Sequence, residues 1–348
     1  MGRLNYVARI QFVYGSFATL KGEVELASIK RLLLIADRGL RQLGVEEKRE
    51  TYLHANFAVV YDYTPDNSIG VAVRSAQRYF KEIEADGIIA IGGASAIDLV
   101  KAVTIAVTHS MPPRDFAAIE GGATNITSRT YPVISIPTTA GTGSEVGQGT
   151  IIILDDDRKV GLLFPNIMPK AAFFDPELAL SLPTGLTAAP VMDAISHCIE
   201  TDVASAFNPP ADGIVLEGLR RGWSQIKTAT EHPYDKDARL NMMIASTMGD
   251  MPFQKALGCV HSLGHSLGCI NLKLHHGTLN NIFLPPVPTF DRQASSIIAE
   301  HKFDHLARAK ELPCAALVEV EIIDVTQAPG LPTKLSQLWV AFNIFQRF

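Results

Sequence analysis

The stretch Asp86-Gly-Ile-Ile-Ala-Ile-Gly-Gly-Ala-Ser-Ala-Ile-Asp-Leu-Val-Lys-Ala102 constrains the fold more than any other in this chain. An apolar strand over 87–91 meets two glycines and then a helix whose start reads Ser95-x-x-Asp98, the spacing of a capping box. The same rhythm recurs on either side. Residues 30–37 read as a buried strand ending in Asp37, followed by a helical start over 38–44, and residues 57–61 as a second strand. Residues 68–85 carry Val71, Val73, Ala76, Tyr79, Phe80 and Ile83 at helical spacing. Residues 131–145 run from a strand into a Thr/Gly-rich loop. Residues 151–164 place Asp155-Asp156-Asp157 between two apolar runs, a hairpin with Lys159 at the start of its second strand. Strands alternating with helices imply a parallel sheet covered on both faces.

The pattern changes near residues 181–185. Beyond them strand signal almost vanishes, and 186–205, 212–229, 235–255, 256–270 and 292–310 read as helices, broken at Asn208-Pro-Pro and His232-Pro. A chain of 348 residues exceeds one small core. The expectation is an α/β dinucleotide-binding, Rossmann-like domain over 1–184 and an all-α metal-binding domain over 185–348. A net charge of −5 gives no basic field for nucleic acid or an anionic membrane. No apolar run reaches membrane-spanning length, and Cys198, Cys259, Cys269 and Cys314 lack C-x-x-C spacing, so a reducing cytoplasm is expected.

Two places offer chemistry. In the α/β half, Gly92 and Gly93 let the backbone turn tightly and approach a ligand, and the N–H groups of the following helix start suit a pyrophosphate. Asp37, at the end of its strand, either accepts hydrogen bonds from a ribose, a choice favouring NAD, or caps the next helix. The loop over 138–144 supplies small donors for phosphate and nicotinamide, or is simply a turn. The G-x-G-x-x-G fingerprint is absent. In the helical half, residues 259–285 hold four of the ten histidines. His261 and His265 stand four apart, as do Asp193 and His197, so each pair shares a helix face. A single such histidine is as readily a hydrogen-bonded core residue. Both pairs lie among apolar residues, where an unpaired polar group is costly, and one shared Fe(II) or Zn(II) satisfies both.

Read together, the motifs resemble the iron-containing (group III) alcohol dehydrogenase family. They are Gly92-Gly-Ala-Ser-x-x-Asp98-x-x-Lys101, Pro137-Thr-Thr-Ala-Gly-Thr-Gly-Ser-Glu145, Asp175-Pro-Glu-Leu178, Met192-Asp-Ala-x-x-His197, His261-x-x-x-His265 and His276-Gly277. The resemblance implies that Asp193, His197, His261 and His276 hold Fe(II), or Zn(II) in some members, with His265 beside the metal in proton transfer. It likewise implies that Asp37, Gly92, Gly93, Ser95, Thr138, Thr139, Thr142 and Lys159 contact NAD. The chain departs from the family pattern at Ala94, at Asp66-Asn67, at Pro190-Val191, and in a segment between His265 and His276 that is one residue longer than usual. His275 therefore competes with His276 for the fourth ligand position, and the adjoining Gly277 favours His276. Recognisable motifs thin after about Leu312, and an apolar run over 338–345 precedes Phe348. One or two closing helices are expected to be missing, and the apolar tail either docks or promotes association.

The expected function is reversible oxidation of a primary alcohol, or reduction of the aldehyde, with NAD by a homodimer that binds neither nucleic acid nor membrane. The alternatives are a maleylacetate-reductase-like or dehydroquinate-synthase-like enzyme of the same fold, or a catalytically compromised homologue that keeps its metal and NAD. Phe164, Leu257 and Phe253 are candidate pocket residues.

Overall fold

A computed structural model describes residues 8–12, 14–37, 58–65, 68–180, 182, 184–252, 255–271 and 274–338. The helical start expected over 38–44, the Asp66-Asn67 departure, Phe253 and the terminal run after Leu338 lie outside the described residues. The chain divides into two compact units, Asn5–Thr139 with Ser144–Ser181, and Leu182–Phe348 with Ala140–Gly143. The short segment Ala140–Gly143 joins the helices because Gly141 lies against Pro190 and Gly143 against Asp250, with no room for a Cβ at either position.

The first unit comprises β1 (Arg9–Phe12), α1 (Leu20–Leu26), β2 (Leu32–Asp37), β3 (Ala58–Thr64), α2 (Gly70–Glu82), β4 (Gly87–Gly92), α3 (Ala94–Thr108), β5 (Val133–Pro137), β6 (Gly149–Ile153), β7 (Lys159–Leu163) and β8 (Ala171–Phe174). Six of these strands form one parallel sheet in the order β1-β8-β5-β4-β2-β3, and β6 and β7 form the expected hairpin. The central strands are buried on both faces, and their alternate side chains feed two cores. Leu33, Ile35, Ile88 and Ala90 pack with Val73 and Phe80 of α2 and Val100 of α3. Leu32, Leu34, Ile89 and Ile134 pack with Leu20 and Val24 of α1. Near-continuous apolar strands are what such double burial demands. Phe164, a candidate pocket residue, is packed against the first of these cores.

Strand order reverses between β2 and β4. From β2 the chain moves outward to β3, then returns to pair β4 on the other side of β2. Ligands of open parallel sheets bind beyond the strand carboxyl ends at such a switch point, and here those ends carry Asp37 and Gly92. The capping box expected at Ser95 and Asp98 does not form. α3 starts two residues earlier, with extended Gly93 as N-cap, and Asp98 is turned inward to other partners.

The second unit comprises α4 (Thr184–Val203), α5 (Pro209–Glu231), α6 (Lys236–Asp250), α7 (Cys259–Ile270), α8 (His276–Phe283), α9 (Pro286–Asp291), α10 (Ser295–Ala299), α11 (Lys302–Ala309) and α12 (Val318–Gln327). α4 is its axis. Val191, Ile195 and Ile199 pack among Val215, Leu219 and Trp223 of α5 and Met242 of α6. The single helix expected over 292–310 is broken, because His301 adopts left-handed backbone (φ 52°) between α10 and α11. Among the described residues no helix is long and apolar enough to cross a membrane.

Candidate metal centre

Asp193 and His197 lie one turn apart on buried α4, and His261 enters from α7. The His197 and His261 rings stack, with centroids 4.3 Å apart and planes 13° from parallel. Potential ligand atoms of Asp193, His197 and His261 all lie within 4.8 Å of one another. Asp193 Oδ1 is 3.3 Å from His261 Nε2 and 3.5 Å from His276 Nε2. Tetrahedral ligands at about 2.1 Å from a divalent ion stand roughly 3.4 Å apart, so these spacings suit one. His276 is the first residue of α8, and Gly277 lets it come so close: a Cβ there would sit 2.0 Å from the Ala189 carbonyl oxygen of α4. His275 is the exposed N-cap of the same helix.

Electrostatics point the same way. Burial alone would raise the Asp193 carboxyl, but the neighbouring His276 and His197 and the hydrogen bond from His261 hold it well below the ordinary carboxylate range. Burial and the charge of His261 push His197 down to about 3, leaving a neutral ring. Burial would lower His261 too, yet hydrogen bonds to Asp193 and Glu200 raise it to about 9. Two carboxylates thus draw positive charge to His261, the place a cation suits. Asn280 repeats the demand. Its Nδ2 donates to Asp193 Oδ1 at 2.6 Å and lies 3.1 and 3.2 Å from His261 Nε2 and His276 Nε2. Its Oδ1 meanwhile has no hydrogen-bond partner among the described residues. An unsatisfied buried amide oxygen costs about 1–3 kcal/mol, and Asn280 bears that cost while its amide nitrogen faces the cluster. An Asp with three imidazoles is a donor set that fits Fe(II) or Zn(II).

His265 is half-buried beside the cluster, its ring stacked on His276 at 4.4 Å and tilted against His261 at 6.2 Å. Two residues that sequence reasoning passed over also touch the cluster. Asn280 stands four residues after His276, and Glu200 three after His197. These are same-face spacings, but nothing marked the residues as more than helix polar positions. Glu200 is buried and takes the His261 Nδ1 hydrogen at 2.5 Å.

At the sheet's carboxyl edge, Asp37 Oδ2 accepts from Gly93 N at 2.9 Å, bridging the ends of β2 and β4. Gly92 holds φ 154°, and a Cβ on it would strike Asp37 Oδ2 at 2.4 Å, so glycine is required there twice over. Thr138 N donates to Gly92 O at 3.0 Å, and the Thr139 hydroxyl faces Gly93. Ser95 occupies the first turn of α3, half-buried. Asp37, Gly92, Gly93, Ser95, Thr138 and Thr139 therefore gather at this edge. Lys159 stands at the start of β7, where its charge acts on Asp98, and Thr142 lies in the segment grouped with the helices.

Behind that edge the two glycine-bearing motifs are bolted together. Fully buried Lys101 donates to the carbonyls of Ser144, Gly147 and Gly149 and to Ser144 Oγ. Asp98 accepts from Ser144 Oγ at 2.7 Å and Ile151 N at 3.2 Å. Burial pushes the carboxyl of Asp98 up against the opposing pull of Lys101, and burial raises Glu145 to about 7.

A Rossmann-like parallel sheet in one unit and an Asp/His cluster on the helices of the other define a two-domain dehydrogenase. The sequence profile "Iron-containing alcohol dehydrogenase" matches residues 8–176, and "Fe-containing alcohol dehydrogenase family, C-terminal" matches residues 187–348. The chain belongs to the iron-containing alcohol dehydrogenase family, whose activity is hydride transfer between alcohol and aldehyde. The second match continues to residue 348, past the thinning of motifs after Leu312. The chain is 46% identical to the 4-hydroxybutyrate dehydrogenase of Cupriavidus necator, over 100% of this chain and 92% of that one. It is 32% identical to the NAD-dependent methanol dehydrogenase of Bacillus methanolicus, over 89% of this chain and 82% of that one. A crystal structure of 1,3-propanediol oxidoreductase superposes with a TM-score of 0.90 at 26% identity, covering 99% of this chain and 92% of that one.

Proposed function

We propose that the chain is an NAD-linked, divalent-metal-dependent dehydrogenase acting on the terminal hydroxyl of a short ω-hydroxy acid, with 4-hydroxybutyrate the first substrate to test. The approach of His261 and His276 to Asp193 Oδ1, at 3.3 and 3.5 Å, carries the metal reading, and the 46% identity to a 4-hydroxybutyrate dehydrogenase supports the substrate class. In this reading Asp193, His197, His261 and His276 hold Fe(II) or Zn(II). Asp37, Gly92, Gly93, Ser95, Thr138, Thr139, Thr142 and Lys159 serve NAD, with the Gly92–Gly93 turn and the start of α3 offering the N–H groups a pyrophosphate needs. When bound, the metal supplies a Lewis acid that makes a hydroxyl more acidic, and NAD supplies the hydride acceptor.

The protein's own residues do the rest. His265, half-buried and stacked on His276, carries away the proton that the hydroxyl loses as the alcohol becomes an aldehyde. The complete Asp/His set weighs against a metal-free reductase of the same fold. The test is NADH formation from 4-hydroxybutyrate by purified protein, alongside short unsubstituted alcohols and elemental analysis. Activity that disappears on chelation and returns with Fe(II) or Zn(II) is expected. Turnover untouched by thorough chelation would refute the metal reading, and preference for unsubstituted alcohols would refute the substrate class.

A further inference from the structure

Glu200 stands outside the set of groups proposed to hold the metal, yet it is bonded to both the backbone and the ring of His261. It lies on α4, three residues beyond His197 and seven beyond Asp193, so all three share one face. Its side chain is only 2% exposed. Oε1 accepts from Val260 N at 2.6 Å. Oε2 accepts from His261 N at 3.2 Å and from His261 Nδ1 at 2.5 Å. A buried carboxylate is costly unless several donors satisfy it, and here the first turn of α7 and one imidazole supply them.

Resting on the metal reading above, we propose that Glu200 is a positioning residue for the metal centre. Its carboxylate fixes the proton of His261 on Nδ1 and so presents Nε2, as a lone pair, toward Asp193 and the metal. A role confined to capping α7 would need only the two backbone N–H groups. The third bond decides the tautomer: with Nδ1–H committed to Glu200, the basic nitrogen is the one 3.3 Å from Asp193 Oδ1. A second carboxylate next to that imidazole also strengthens it as a donor.

Glu200→Gln separates the two roles. Every contact Glu200 makes is with a donor, and an amide has one acceptor only. If its oxygen keeps Val260 N, its NH2 faces His261 Nδ1 and favours the opposite tautomer, with Nε2–H blocking coordination. If the oxygen keeps His261, the cap at Val260 is lost. A second variant displaces the carboxylate without removing its charge: a Cβ at Gly258 would sit 2.7 Å from Glu200 Oε1, and Gly258 has negative φ, so Gly258→Ala introduces no backbone strain.

Full-length wild type, E200Q and G258A are stripped with chelator, checked for folding by circular dichroism, and titrated with Co(II) against a competing chromogenic chelator while the Co(II) ligand-field bands are recorded. Co(II) affinity weakened about 10- to 100-fold in E200Q, with shifted bands, and a smaller loss in G258A are expected. A cap alone would lower the apo-protein's melting temperature and leave affinity and bands unchanged in the folded protein, which overturns the proposal. If E200Q does not fold, G258A decides by the same criterion. A wild type that fails to hold Co(II) sinks the metal reading and this proposal together, whereas tight wild-type binding with unaltered variants sinks the Glu200 assignment alone.

Discussion

At the scale of single residues, the site's chemistry is set by what surrounds each side chain. The His261 ring lies between two carboxylates, 3.3 Å from Asp193 Oδ1 and 2.5 Å from Glu200 Oε2, so His261→Ala removes a proposed metal donor and leaves Asp193 and Glu200 as buried anions without that partner. Metal content and alcohol-dependent NADH formation should both fall on the order of 100-fold or more. Retention of either by a folded variant would remove His261 from the donor set. Glu145 makes a second prediction, for stability. Burial raises its folded pKa from 4.5 to about 7. A raised carboxyl contributes stability that is fully present below the unfolded value and is lost as pH climbs to the folded one. Between pH 4.5 and 7 that loss reaches ~3 kcal/mol at most. Glu145→Gln, which cannot ionise, should flatten the stability curve in that window. Parallel urea-unfolding curves for both proteins would show that Glu145 does not titrate there.

At the scale of elements, Lys101 links α3 to the loop that follows β5. Its ammonium donates to three backbone carbonyls and lies near Asp98. Lys101→Met leaves those carbonyls without their donor and Asp98 without its positive neighbour, at a cost of ~3–5 kcal/mol. Unfolding at lower denaturant, together with weaker NAD binding by fluorescence titration, is expected, and wild-type values of both would refute the brace. The strand-Gly-Gly-helix unit, the hairpin and the long helices were legible because their apolar spacing is local. Asp98 was misread as half of a capping box because its partners, Ser144 and Ile151, are remote in sequence and invisible to any spacing rule. β1 and β8 went unread since each is a four-residue strand whose identity comes from pairing with the other. The i,i+4 pairs pointed to Asp193, His197 and His261, whose potential ligand atoms the fold brings within 4.8 Å of one another. Asn280 and Glu200 were missed because a polar helix residue gains meaning only from what another helix brings to it.

At the scale of the molecule, each unit owns its own core, so ligands should stabilise them separately. Metal at 100 times its dissociation constant adds ~2.7 kcal/mol to whatever it binds. Hydrogen exchange with and without added Zn(II) should slow chiefly in α4, α7 and α8, while NAD should slow exchange at the ends of β2, β4 and β5. Protection by Zn(II) confined to the sheet would contradict a metal centre on the helices.

α4 alone carries Asp193, His197 and Glu200. Since each residue advances a helix by ~100°, inserting or deleting a single position upstream of Asp193 within α4 would swing all three away from α7 and α8 together. Length changes can accumulate in surface turns, but this rod must keep its phase. A one-residue gap inside this helix would therefore remove three positions together, where a point change such as His261→Ala removes one.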